Sequence, residues 1–155
     1  MMENKYTVKQ YWRKFRKKNN VDQNIEFDSW SFGDGTPEMA DKLAQLVVTG
    51  KKTATSSSLI SYTYEEERMP VVNQYDVVLD GFDQPVAIIQ YTKIEIMPIK
   101  EVSNLFASLE GEGDLSLSYW YNVHKKFFTA ELEAWGKQFS DELLIVCQTF
   151  KVVGK

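Results

Sequence analysis

The stretch from Pro85 to Met97 constrains the fold more than any other part of the chain. Val86, Ile88, Gln90, Thr92, Ile94 and Ile96 would lie on one face of a strand and Ala87, Ile89, Tyr91, Lys93, Glu95 and Met97 on the other, and Pro98 stops the run. A strand of that length must find partners within the chain. Residues 143–153 are rich in apolar and β-branched side chains and read as a closing strand that pairs with an earlier one. Tyr75 to Asp80 reads as another strand, joined to the long one by a turn from Gly81 to Gln84. Ile25 to Phe32 reads as a short strand that runs into Gly33-Asp34-Gly35.

Helical patterns alternate with these segments. Thr36-Pro37-Glu38 supplies an N-cap, a first-turn proline and a first-turn acid, and Met39, Leu43, Leu46 and Val47 follow at helical spacing until Gly50. A further helix is predicted from about Glu101 to the glycines at 111 and 113. The next opens near Ser116 and carries Trp120, Val123, His124, Phe127 and Phe128 on one broad apolar stripe. No internal repeat or long linker divides the chain, so one α+β domain is expected. Its 155 residues suffice to bury about two-thirds of the surface an unfolded form exposes.

Charge is distributed unevenly. The net charge is −4, but residues 1–18 carry seven Lys or Arg against Glu3 alone, which leaves −10 on the remainder. Tyr6, Tyr11, Trp12 and Phe15 lie near helical spacing among Lys9, Arg13, Lys14, Arg16, Lys17 and Lys18. Residues 1–24 are therefore read as a basic amphipathic helix and its connection, part of the same domain as residues 25–155. Such a face suits phosphates or an acidic protein partner, and it also suits simple solvation. Cys147 is the only cysteine, which excludes a disulfide framework and a cysteine metal cluster within one chain. The single histidine, His124, excludes a His-rich metal centre. No metal or cofactor is expected, no membrane partner either, and the cytoplasm is the expected compartment.

Two segments carry chemistry. Gly50-Lys51-Lys52-Thr53-Ala54-Thr55-Ser56-Ser57-Ser58 places amines and hydroxyls directly after a helix stop. If residues 52–58 form a strand, Lys52, Ala54 and Ser56 point to one side and Thr53, Thr55 and Ser57 to the other. A helix end whose lysines complement the dipole fits the same run. The second segment, Glu110-Gly111-Glu112-Gly113-Asp114, spaces three carboxylates by glycines ahead of a helix, with Asp114 or Ser116 as N-cap. The rings of Tyr62, Tyr64 and Tyr119 are candidates for stacking a base. His124 is a candidate ligand-binding residue, although a lone histidine on an apolar stripe is more often a packed helix residue with one satisfied hydrogen bond.

Together Phe32-Gly33-Asp34, the Gly50-to-Thr55 run, Val77-Val78-Leu79-Asp80, the Glu110-to-Asp114 loop with Ser116-Leu117, Tyr119-Trp120 and His124 resemble the ASCH domain family over roughly residues 27–153. That resemblance implies a PUA-like fold, a small mixed or antiparallel β-barrel flanked by helices, and a role in binding RNA or a modified nucleoside. The family pattern Gly-x-Lys-x-x-Thr-x-Arg is met at Gly50, Lys52 and Thr55, while Ser57 stands in the place of the arginine. Smaller relatives remove an acyl group from N4-acylcytidine with a lysine, a threonine and a glutamate. By resemblance these fall on Lys52, Thr55 and Glu112, with Thr55 as nucleophile, Lys52 as its base and Glu112 as orienting or proton-shuttling group. Lys51, Thr53, Ser57, Glu110, Asp114, Tyr119 and His124 are the associated ligand-binding candidates. Ribonuclease activity is a second hydrolytic expectation, with Lys52 stabilising phosphoryl charge. A protein-interaction domain using the basic N-terminal helix is the third class.

Overall fold

The computed structural model describes residues 7–33 and 35–155; the expectations for Tyr6 and Asp34 lie outside the described residues. The elements run α1 (Val8–Lys18), β1 (Phe27–Ser31), α2 (Pro37–Val48), β2 (Ala54–Ser58), α3 (Ser61–Tyr64), β3 (Tyr75–Leu79), β4 (Pro85–Pro98), a 3-10 turn (Ile99–Glu101), α4 (Asn104–Leu109), α5 (Leu117–Ala134) and β5 (Leu144–Gly154). The strands follow one hydrogen-bonded order, β1-β3-β4-β5-β2. β1 runs parallel to β3, while β3 with β4 and β2 with β5 are antiparallel, so the mixed sheet of an α+β protein is present. No helix among the described residues is long and apolar enough to cross a membrane.

Contacts group the chain into two compact units. The first comprises Met1–Gly50, Asn73–Gln90 and Lys151–Lys155. Its core is Trp12, Phe15, Val77 and Ile88, with Tyr11, Phe27, Tyr75 and Val153 packed on it. The indole of Trp12 stacks on Phe27 at a centroid distance of 4.6 Å. Thr7 begins α1 with a capping box: its hydroxyl accepts from Gln10 N–H, and the Gln10 side chain accepts from Thr7 N–H. Asn19 closes the helix by donating its side-chain amide to the Phe15 carbonyl at 2.9 Å. In α2 the Thr36 hydroxyl caps the Met39 N–H, Pro37 occupies the first turn, and Gly50 follows the helix at φ +82°. The buried stripe of α2 is Ala40, Leu43, Ala44 and Val47, so Met39 and Leu46 lie at its margins and small residues fill the close contact. At the start of the helix a Cβ on Gly81 would sit 2.2 Å from the Pro37 carbonyl oxygen, so the β3–β4 turn approaches α2 backbone to backbone.

The second unit comprises Lys51–Val72 and Tyr91–Phe150. Ile99, Val102, Ala107, Trp120, Phe128, Ile145 and Cys147 form its core. α4 starts three residues later than the pattern predicts, because residues 99–101 close a 3-10 turn, Val102 is extended and the Ser103 hydroxyl caps the Phe106 N–H. Of the predicted α5 stripe, Trp120 and Phe128 are buried together with Leu132, whereas Phe127 is exposed at the stripe's edge. The Tyr-rich stretch after β2 contains the short helix α3, which its polar composition conceals.

Candidate functional site

Both chemical segments belong to the second unit and are stitched together by their backbones. Thr53 N–H donates to the Leu109 carbonyl at 2.8 Å, and the Thr53 carbonyl accepts from Phe150 N–H at 2.9 Å. Gly111 makes the closest approach: a Cβ on it would lie 2.3 Å from the Lys51 carbonyl oxygen, and its φ is +73°. Only glycine fits both conditions. Thr53 is thus a structural stitch between the segments, and Lys51 contributes its backbone there while its side chain is exposed.

The stitch brings Lys52 and Glu110 into the interior, each about 1% exposed. Lys52 Nζ donates to Glu110 Oε1 at 3.1 Å, to Glu112 Oε2 at 3.1 Å and to the Glu110 carbonyl at 3.2 Å. Three acceptors for one amine are what an ammonium requires. Glu110 is equally engaged, since its second oxygen accepts from Ser56 Oγ at 2.8 Å, from the Trp120 indole N–H, and lies 3.3 Å from His124 Nε2. Glu112 differs. Its side chain is 16% exposed against 2% for Glu110, and its other oxygen, Oε1, meets no donor among the described residues.

Burial alone would raise the pKa of Glu110, but the charge on Lys52 and the hydrogen bonds from His124 and Trp120 outweigh it and hold the carboxyl at about 2. His124 feels the converse. Burial lowers its pKa, yet the hydrogen bond and charge of Glu110, the Trp120 carbonyl and the charge of Glu112 raise it overall. The geometry agrees with a doubly protonated ring: Nδ1 lies 2.7 Å from the Trp120 carbonyl and Nε2 faces the carboxylate, so both nitrogens meet acceptors.

These opposed shifts fix a pH signature. The contribution of Glu110 to stability is complete above its ordinary value of 4.5 and is lost as pH falls through about 2. The contribution of His124 is complete below its ordinary 6.5 and is lost as pH rises through its raised value. Urea denaturation should therefore show greatest stability between pH 4.5 and 6.5 and a decline on the alkaline side that His124→Gln removes. A decline of unchanged size in that variant would locate its cause elsewhere.

Strand alternation holds as expected. Lys52 and Ser56 both reach Glu110, while Thr55 pairs across the ladder with Gln148 on the other face. On that face Gln148 donates its amide to Ser57 Oγ at 2.9 Å, and Ser57 shares a 2.6 Å hydrogen bond with the Tyr62 hydroxyl. Ser57, at the family's arginine position, belongs to this neutral network. No hydrogen bond among the described residues joins Thr55 to Lys52 or Glu112. Asp114 is exposed and accepts from Ser116 N–H at 2.9 Å, and the Ser116 hydroxyl caps α5 through Tyr119 N–H. The Tyr119 ring is 38% exposed and lies against Gly113.

The burial of Glu110 was not legible in the sequence, and Ser56 and Trp120 were not singled out as its donors. The signals available were the i, i+4 relation of Ser56 to Lys52 and an indole opening the helix after an acidic loop. Cys147 is no alternative nucleophile, because burial, with the nearby charges of Glu110 and Glu95, pushes its thiol up to about 12. Glu110, Glu112 and His124 place ligand-type atoms within 4.8 Å of one another, a spacing a hard cation can use. Lys52 already supplies positive charge between the two carboxylates.

The family model described as the ASCH domain matches residues 28–154. A crystal structure of a protein from Enterococcus faecalis is similar to this chain at 49% identity, with a TM-score of 0.86 over 95% of this chain and 88% of the other. A crystal structure of an ASCH domain from Lactobacillus crispatus is 30% identical, with a TM-score of 0.88 over 95% of this chain and 94% of the other. A hypothetical protein, PH0355, shares the fold at 13% identity and a TM-score of 0.55. No curated protein matches the chain.

Proposed function

The chain belongs to the ASCH domain family, and from that premise we propose that it recognises RNA or a nucleoside through the carboxylate of Glu112, which Lys52 holds in place. One observation carries this reading: Glu112 has one oxygen fixed on a buried ammonium, and the other meets no donor among the described residues. A carboxylate presents acceptors only, so its free oxygen selects a ligand edge that carries N–H groups, as the exocyclic amine of cytosine does. Lys52 is a positioning residue, since its 1% exposure leaves it behind Glu112. Glu110, Ser56, Trp120 and His124 form the support that keeps that ammonium fixed.

The hydrolytic reading asks Lys52 to accept a proton from Thr55. An amine donating to three oxygens offers no lone pair, and Thr55 lies on the opposite strand face, so binding is the better-supported function. Titrating the isotopically labelled protein with cytidine and with a short single-stranded RNA should shift the backbone amides of residues 51–56 and 110–114. Unmoved amides in both segments at saturating ligand would end the proposal.

A further inference from the structure

We propose that the solvent face of α1 is a phosphate-binding surface that takes the backbone of single-stranded RNA. The apolar side of the helix is fully used: Trp12 and Phe15 are buried in the first unit's core, and Tyr11 and Val8 pack beside them. Lys9, Arg13 and Lys17 follow at intervals of four and form one row on the opposite side, all exposed. Successive members rise by about 6 Å along the axis, a step comparable with the separation of neighbouring phosphates along an extended strand.

Among the described residues, no hydrogen bond or ion pair employs this row. No carboxylate among the described residues pairs with Lys9, Arg13, Lys17 or Lys18, whereas Arg16 on the helix's flank donates to the Val21 carbonyl and so has a structural duty. Favourable interaction with the helix dipole accounts for cations in the last turn, Arg16, Lys17 and Lys18, but not for Lys9 and Arg13 one and two turns earlier. With −10 on the residues after 18, a polyanion is repelled by most of the chain and attracted here. The choice of RNA over an acidic protein rests on the family reading above.

The test uses fluorescence anisotropy with a labelled oligouridylate, whose bases lack the exocyclic amine assigned to Glu112. The wild type should bind with a strong salt dependence, and Lys9→Gln/Arg13→Gln/Lys17→Gln should flatten the slope of log affinity against log salt by about 2, at roughly 0.7 per lost phosphate contact. The charge-retaining Lys9→Arg/Lys17→Arg variant should keep the full slope, which separates loss of charge from loss of fold. An unchanged slope in the triple glutamine variant overturns the proposal. So does wild-type affinity for polyglutamate in place of oligouridylate, which marks a protein-docking face instead. Cytidine, which carries no phosphate, should bind the triple variant as it binds the wild type. Absent cytidine binding with an intact slope effect would sink the Glu112 reading and leave this one standing.

Discussion

Glu110→Ala should lower folding stability by about 3–5 kcal/mol, a larger effect than any other single change in the charge cluster. The carboxylate is 2% exposed and answers Lys52, Ser56, Trp120 and His124 at once. Its removal takes from the Lys52 ammonium its most buried counter-charge, leaving it Glu112 and the backbone carbonyl of residue 110, and strips three further polar groups of their acceptor in a place water does not readily reach. The cost is one of broken compensation, because a buried ion pair taken as a whole contributes little net stability. Lys52→Met should therefore cost clearly less, since Glu110 keeps Ser56, Trp120 and the ring of His124. Urea denaturation of both variants measures the difference. Equal losses, or a smaller one for Glu110→Ala, would mean that Glu110 is not the centre of the cluster.

Glu112→Gln should weaken cytidine binding by roughly 10- to 150-fold, the equivalent of one charge-assisted hydrogen bond of about 1.5–3 kcal/mol. The substitution preserves shape and replaces a pure acceptor with an amide that is half donor. Folding stability should change far less than in Glu110→Ala, because Glu112 is the partly exposed member of the pair. Lys52→Met should also weaken binding, by releasing Glu112 from its fixed orientation. Thr55→Val should stay within a few-fold of the wild type, since its hydroxyl lies on the other face of β2. A Thr55→Val variant as impaired as Glu112→Gln would return the hydroxyl to the centre of the function.

The fold was largely legible where a local rule acts alone. Thr36, Pro37 and Gly50 bound α2, Ser116 caps α5, and the alternation of residues 85–97 marks β4, because capping and pleating depend on near neighbours. Helix content between Pro98 and Ser103 was harder to place, as a 3-10 turn and an extended Val102 leave no periodic trace. In the site, alternation told Lys52 and Ser56 from Thr55, and the family pattern joined Lys52 to the acidic loop. The roles of the two glutamates were not legible. Glu110 and Glu112 stand two residues apart around one glycine, and the turn at Gly111, held against Lys51, leaves the first buried and the second partly exposed. That contact joins positions sixty residues apart, where no periodicity reaches.

The most direct test of the account is calorimetric titration of the wild type and Glu112→Gln with cytidine and with uridine. Uridine carries a carbonyl where cytidine carries its amine, so a carboxylate at that edge attracts one and repels the other. The account predicts that the wild type binds cytidine at least about tenfold more tightly and that the ratio falls close to one in Glu112→Gln. Equal binding of the two nucleosides by the wild type, or an undiminished preference in the variant, would contradict it.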